Sequence, residues 1–294
     1  MRNVRRYPAK TAMIYPDRNK EWNYKELNAD VNRLANALVD DGFQKQGVVM
    51  IQLLNCPEFA FAYVAAQKVH GVCCPSSYRL SPGELAYNIN DSQPLVLIFD
   101  ASFKPTVLEA VSLSAHKPKR LVVVGGESDG DIISYSDYVK DKSVEEPPYA
   151  CDYNIYDETT LLYTSGTTGR PKGVSLTSIN EVLSAHDVMI HFPMSYKDTT
   201  MNTTPWFHRG GLHCAGPCTI FYAGATLVIM SKFSAATTLK FVARYKISFV
   251  IGVPTVLEEL ADEQERNSYD LATLKGIVTM GSPLERSACI RYQK

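Results

Sequence analysis

Apolar side chains recur along the chain with two alternating periods, and each period predicts a different element. Leu27, Val31, Leu34, Ala35 and Leu38 stand at helical spacing, so Tyr24 to Asp41 reads as an amphipathic helix that Gly42 ends. Asn23 and Glu26 have the separation of a capping box at its start. Val48 to Leu53 is a short, mostly apolar run suited to a buried strand, and Pro57 opens a second helix to about Val69. Further strands are predicted at 95–99 and 121–124, with a helix near 105–115 between them. Later the pattern predicts a helix at 179–190, a strand at 226–230, a helix at 235–245 and a strand at 248–252. A helix from Pro254 to about Arg266 and a strand at 276–280 follow.

Strands that alternate with helices pack as parallel sheets covered by those helices, so the chain is expected to be α/β. The stretch from Glu127 to Glu158 is polar and broken by Gly130, Pro147 and Pro148, which reads as a surface excursion or a boundary. Two α/β subdomains with mainly parallel sheets are therefore expected, about 1–160 and 161–294, hinged near residue 160. No internal repeat or low-complexity tract suggests a solenoid.

Composition narrows the chemistry. With 294 residues and 45% hydrophobic content the chain can bury a sizeable core. Thirty basic and 31 acidic residues leave a net charge of −1, so no basic field points to nucleic acid or an anionic membrane. The partners expected are small molecules. The basic start, Met1 to Pro8, lacks the apolar stretch of a secretory signal. The longest apolar run, Phe59 to Ala66, is far short of the roughly 20 residues needed to cross a bilayer, and a cytoplasmic protein is expected.

The 7 cysteines include no Cys-x-x-Cys pair and read as reduced thiols. His208, His213, Cys214 and Cys218 are types that bind zinc but lack paired ligand spacing, so no metal is assigned to them. The apolar setting of Cys73-Cys74 favours burial over redox activity.

The most informative segment is Leu161-Leu-Tyr-Thr-Ser-Gly-Thr-Thr-Gly-Arg-Pro-Lys-Gly173, a polar loop directly behind an apolar, strand-like run. Its glycines let a backbone approach a ligand, its hydroxyls can donate to phosphate oxygens, and Lys172 adds positive charge. A Ser/Thr/Gly surface turn without a ligand has the same composition. The nucleoside-triphosphatase pattern needs Gly-Lys-Ser/Thr, whereas Gly169 is followed by Arg170-Pro171-Lys172-Gly173.

The string Thr-Ser-Gly-Thr-Thr-Gly-x-Pro-Lys-Gly resembles the phosphate loop of the adenylate-forming superfamily, which holds acyl-CoA synthetases, peptide-synthetase adenylation domains and luciferases. That resemblance implies ATP contacts from Thr164, Ser165, Gly166, Thr167, Thr168, Gly169 and Lys172. Thr204-Pro-Trp-Phe-His-Arg-Gly-Gly-Leu-His213 is similar to the family's Pro-x-Phe-His-x-Gly-Gly segment. By resemblance His208 is the catalytic-site histidine, and Trp206, Phe207, Gly210 and Gly211 border the acid pocket. An incidental histidine in an aromatic core loop is the plainer reading of the same residues.

Gly252-Val-Pro-Thr-Val-Leu257 and Thr279-Met-Gly-Ser-Pro-Leu284 resemble the family's acid-pocket and adenine turns. They imply Val253 as a pocket residue and Gly281, Ser282 and Pro283 as adenylate contacts. Trp22-Asn-Tyr-Lys-Glu-Leu, Leu53-Leu-Asn-Cys-Pro-Glu-Phe and Pro75-Ser-Ser-Tyr-Arg-Leu-Ser extend the likeness to nearly the whole chain. Three positions depart from it. Val48 stands where the family usually has Asp, Ser76 and Ser77 fill a segment that usually holds Asn, and Ser282 replaces a small apolar residue.

The resemblance therefore implies the large N-terminal domain of the adenylate-forming fold. A Tyr-Gly-x-Thr-Glu segment, a ribose-binding Asp, an Arg beyond it and a C-terminal lid with its adenylation lysine are expected after the adenine turn, and this chain does not contain them. The lid domain is thus expected to be absent and the chain truncated, and alone it is expected to have little or no ligase activity. Lys172 is not the lid lysine, because it lies inside the phosphate loop. The implied reaction uses ATP, Mg2+ and coenzyme A to turn a carboxylic acid into an acyl-adenylate and then a thioester. The Trp206–Leu212 loop and Gly252–Leu257 turn hold no Asp for an amine, which favours a fatty or aryl acid. An amino-acid adenylation domain loading a carrier protein, and a non-catalytic nucleotide-binding fragment, are the alternatives.

Overall fold

A computed structural model describes residues 2–148, 153–164 and 171–293. In chain order its strands are β1 (Thr11–Tyr15), β2 (Lys20–Asn23), β3 (Val48–Gln52), β4 (Val72–Pro75), β5 (Val96–Asp100), β6 (Arg120–Val124) and β7 (Ile132–Ser134). They continue as β8 (Glu158–Thr164), β9 (Lys172–Thr177), β10 (Thr199–Asn202), β11 (Thr226–Val228), β12 (Phe249–Gly252) and β13 (Gly276–Thr279). Two mostly parallel sheets result, ordered β7-β6-β5-β3-β4-β8-β9 and β13-β12-β10-β11-β1-β2. Only β9 against β8 and β2 against β1 run antiparallel within these sheets.

The two compact units do not divide at residue 160. One comprises Glu26–Glu181, and the other joins Met1–Lys25 to Val182–Lys294. The difference arises from strand pairing. β1 lies parallel to β11, with Met13 opposite Leu227, so the N-terminal strands belong to the sheet formed by the second half of the chain. Tyr24 secures that pairing: its buried phenol donates to the carbonyls of Ala225 at 2.7 Å and Ile220 at 3.3 Å. Conversely β8 pairs with β4 through Cys73 and Thr160, which places the polar-loop hairpin in the unit Glu26–Glu181.

Each unit has its own core. In Glu26–Glu181, Met50, Leu97 and Phe99 from the sheet pack with Leu85, Ile89, Val107 and Ala110 from helices Pro82–Ser92 and Lys104–Leu113. In the other, Met201, Val228 and Val250 pack with Leu239, Val242, Leu257 and Leu260 from helices Ala235–Tyr245 and Pro254–Asn267. Each fully buried aliphatic side chain contributes about 1.5–3 kcal/mol relative to exposure, so the apolar periodicity in the sequence selects these faces.

The polar stretch after Glu127 is more ordered than a boundary. It contains β7 and the short helix Tyr135–Val139, with Ile132 and Tyr138 buried. Asn36 Nδ2 donates at 3.0 Å to the carbonyls of Ser143 and Glu145, and Asn32 Nδ2 donates at 2.7 Å to Val144. Two asparagines on helix Tyr24–Asp40 therefore give this segment the backbone pairing that a linker lacks.

Candidate functional site

The polar loop is carried on a hairpin. β8 and β9 pair antiparallel, with Tyr163 opposite Gly173 and Thr164 opposite Lys172. Ser165, Gly166, Thr167, Thr168 and Gly169 lie outside the described residues. Their stems are described: Thr164 and Lys172 are both exposed, and Thr164 Oγ1 lies 3.5 Å from the Lys172 carbonyl. Lys172 makes no ion pair among the described residues, so its charge is available to an anion. A hydroxyl and an ammonium facing each other across a strand pair form a donor set suited to phosphate oxygens.

In the unit that includes Val182–Lys294, three further segments meet at one end of a sheet. β10, β12 and β13 are adjacent and parallel, with Asn202 opposite Ile251 and Gly252 opposite Thr279. The chain leaves β10 for β11 on one side and returns to β12 on the other, so the topology reverses at β10 and β12. In open α/β sheets, ligands bind beyond the carboxyl ends of the strands at such a reversal. The His208 loop follows β10, the Val253 turn follows β12 and the Gly281 turn follows β13.

Asn202, not singled out by the sequence, shapes the first of these loops. It is 2% exposed, its Oδ1 accepts from Thr204 N at 2.8 Å, and its Nδ2 donates to the Cys214 carbonyl at 2.6 Å. The carbonyls of Gly210 and Gly211 lie 3.1 Å and 3.3 Å from the same nitrogen. One amide thus closes the loop on the helix Arg209–His213. Thr203 ties it to β12, donating to the Ile251 carbonyl from both N and Oγ1 at 2.9 Å.

This closure leaves no room for a side chain at Gly211, where a Cβ would collide with the Pro205 carbonyl. Trp206 and Phe207 are buried, whereas His208 is exposed, its ring centroid 4.2 Å from that of Phe207. The other two turns touch this framework. Met280 Sδ lies against Gly210, and Gly281, in the left-handed region at φ +89°, comes close to Val253. Ser282 and Pro283 continue that turn on the surface. The structure therefore brings Trp206, Phe207, His208, Gly210, Gly211, Val253 and Gly281 to one sheet end. Thr164 and Lys172 belong to the other unit.

The vicinal cysteines lie inside β4, fully buried. Burial pushes the Cys73 thiol well up and the Cys74 thiol up to about 12, so both are neutral thiols near pH 7 and poor nucleophiles. Burial likewise pushes Cys214 up to about 11, and the amide of Asn202 engages the backbone carbonyl of this residue. No described helix is long and apolar enough to cross a membrane.

The sheet-end loops and the hairpin coincide with a sequence profile described as AMP-binding enzyme, which matches residues 1–294. The chain belongs to the AMP-binding enzyme family. It is similar to crotonobetaine/carnitine–CoA ligase from Citrobacter koseri, 27% identical over 289 residues, covering 97% of this chain and 53% of that relative. The enzyme of the same name from Salmonella agona is 28% identical over 258 residues, covering 86% of this chain and 50% of the relative. The chain thus spans about half the length of the curated relatives it matches.

Solved structures carry the same fold. The anthranilate–CoA ligase AuaEII in complex with anthranoyl-AMP superposes with a TM-score of 0.92 at 22% identity, over 99% of this chain and 56% of that one. The N-terminal domain of FACL13 from Mycobacterium tuberculosis superposes with a TM-score of 0.87 at 25% identity, over 99% and 71% of the two chains. The adenylate-forming resemblance read from the sequence is the one these relatives show.

Proposed function

We propose that the protein to which this chain belongs activates a carboxylic acid with ATP and transfers the acyl group to coenzyme A. The observation that carries this is the β8–β9 register, which sets the Thr164 hydroxyl and the exposed Lys172 ammonium opposite one another at the mouth of a Ser/Thr/Gly loop. In this reading ATP enters as its magnesium complex and the loop, from Thr164 through Gly169 with Lys172, takes the outer phosphates. Hydroxyl and ammonium donors fit phosphate oxygens.

The chemistry follows from charge. A carboxylic acid is already ionised at neutral pH, so its oxygen attacks the α-phosphorus without a general base, and pyrophosphate leaves. Lys172 stabilises the charge that gathers on the departing pyrophosphate. The acyl-adenylate carbonyl then accepts the sulfur of coenzyme A, the thiol proton is lost, and AMP leaves. Hydroxide would leave far less readily than AMP, which is why the acid is first joined to phosphate.

The acid is assigned to the sheet-end loops. Phe207 and Val253 offer apolar walls, Gly210 and Gly211 let the following helix approach the loop, and exposed His208 can donate to the carboxylate or phosphate oxygen. Gly281, Ser282 and Pro283 are assigned to the adenine, which a turn reads through backbone groups. None of Trp206, Phe207, Gly252 or Val253 carries a charge, which supports a fatty or aryl acid.

The test is acid-dependent ATP–pyrophosphate exchange by the complete protein, with hydroxamate capture of the acyl group across short, aryl and long-chain acids. Exchange is expected with at least one acid class and should collapse in Lys172→Ala. Exchange that ignores added acid, or survives unchanged in Lys172→Ala, refutes the reading.

A further inference from the structure

The stems of the polar loop are held from one side by a single helix. Helix Pro82–Ser92 begins with a full capping box: Ser81 Oγ accepts from Glu84 N, and Glu84 Oε2 accepts from Ser81 N at 2.8 Å. Leu85 and Ile89 sink its inner face into the core, where both are 0% exposed. Tyr87 and Asp91, four residues apart, share another face. Tyr87 Oη donates to the Pro171 carbonyl at 3.2 Å, and Tyr163 Oη donates to Asp91 Oδ2 at 2.7 Å. Tyr163 stands just before the loop and Pro171 just after it, so this face grips both stems.

Two further observations give the contacts a purpose. A Cβ at Gly173, opposite Tyr163, would crowd Leu161 Cδ1 at 3.0 Å and lie in ordinary contact with Asp91 Oδ2 at 3.6 Å, so the bare glycine accommodates Leu161 while Asp91 lies alongside. Beside the grip lies an open cavity of about 590 Å³ whose walls include Tyr87, Asp91, Pro171 and Lys172. The base of the hairpin is held by the pairing of β8 with β4 and by Leu161 and Tyr163, which pack against the core that includes Leu85 and Ile89, while the two hydrogen bonds engage the stems at Tyr163 and Pro171 beside this cavity.

We propose that Tyr87 and Asp91 are positioning residues that set where Thr164 and Lys172 stand, and so tune affinity for the outer phosphates of ATP. This rests on the reading of the hairpin loop as the phosphate site. The helix is anchored by its cap and core face, the two phenol bonds carry that anchorage to the stems, and phosphate contacts weaken steeply when a donor moves.

The test titrates this chain calorimetrically with ATP and with AMP, and records the thermal midpoint of each variant. Tyr87→Phe, Tyr163→Phe and Asp91→Ala each remove a bond while keeping most of the volume or the backbone. Each is expected to weaken ATP binding about five- to tenfold, with AMP binding within about twofold of the parent. Asp91→Asn, which retains an accepting oxygen, should restore ATP affinity. Variants that melt lower yet bind ATP like the parent, or that lose AMP and ATP equally, overturn the proposal.

Lys172→Ala separates the two layers. If it binds ATP like the parent, the phosphate-site reading and the positioning role fall together. If it weakens ATP binding and the phenol variants do not, only the positioning role falls.

Discussion

The hairpin of the unit Glu26–Glu181 and the sheet-end loops of the other unit solve the same physical problem differently. The hairpin places its groups by strand register: pairing Tyr163 with Gly173 also fixes Thr164 against Lys172. The sheet-end loops have no register beyond their strands, and side chains do the placing. Asn202 closes the His208 loop, Thr203 ties it to β12, and Met280 and Gly281 bring the third turn against Gly210 and Val253. A register device sets an exposed hydroxyl and an exposed ammonium opposite one another, whereas a buried-amide device folds a loop that buries Trp206 and Phe207 and leaves His208 exposed.

The sharpest way to break this contrast is Asn202→Ala. It strands the carbonyls that the amide engages, at a cost of about 2–3 kcal/mol. Both tryptophans, Trp22 and Trp206, lie in the unit that holds Asn202, so urea unfolding followed by tryptophan fluorescence reports that unit. A variant as stable as the parent would show that backbone pairing alone shapes the loop.

Next in size is Lys172→Ala, expected to weaken ATP binding about tenfold, or ~1.4 kcal/mol, with the unfolding midpoint unchanged. A large loss of stability instead would make Lys172 a structural residue. His208→Ala should raise the KM for the acid of the complete enzyme several-fold while ATP affinity stays within about twofold. Equal loss of nucleotide affinity in the Lys172 and His208 variants would erase the division of roles between the two regions.

The smallest effect is set by pH. Burial pushes the Asp198 carboxyl up, but hydrogen bonds from Lys275 at 2.6 Å, Ser195 and Ser248 outweigh it and hold the group below its ordinary value. Its contribution is complete above the unfolded carboxylate pKa of about 4 and is lost as pH falls through the lower folded value. Acid titration of the parent and of Asp198→Asn should diverge above that window and converge below it. Parallel curves throughout would assign the acid sensitivity elsewhere.

Much of this was legible in the chain. Helix Ala235–Tyr245 has its predicted limits, and strands β3, β5, β6, β12 and β13 lie within a residue or so of the runs that predict them. The patterning does not single out β1, β2, β4, β7, β9 or β10. Several of these strands carry threonine, lysine or glycine where periodicity needs apolar residues, as in Thr199-Thr-Met-Asn202 and Lys172-Gly-Val-Ser-Leu-Thr177. Of the candidate site, His208, Lys172 and Gly281 are visible through motifs. Asn202, Tyr87 and Asp91 are not, because each acts on a backbone or side chain distant in sequence and leaves no local pattern.

By itself the sequence determined the alternation of helix and strand, the polar loop and the family, since periodicity and motif are properties of neighbouring residues. Only the tertiary structure decided that β1 and β2 join the sheet of the chain's second half, that the units divide at 25 and 181 rather than near 160, and that three separate turns share one sheet end. A strand's apolar face states that it must be buried but not against which partner. That choice is made by long-range pairing and by buried groups such as Tyr24 and Asn202, whose hydrogen bonds are satisfied in one arrangement of the chain.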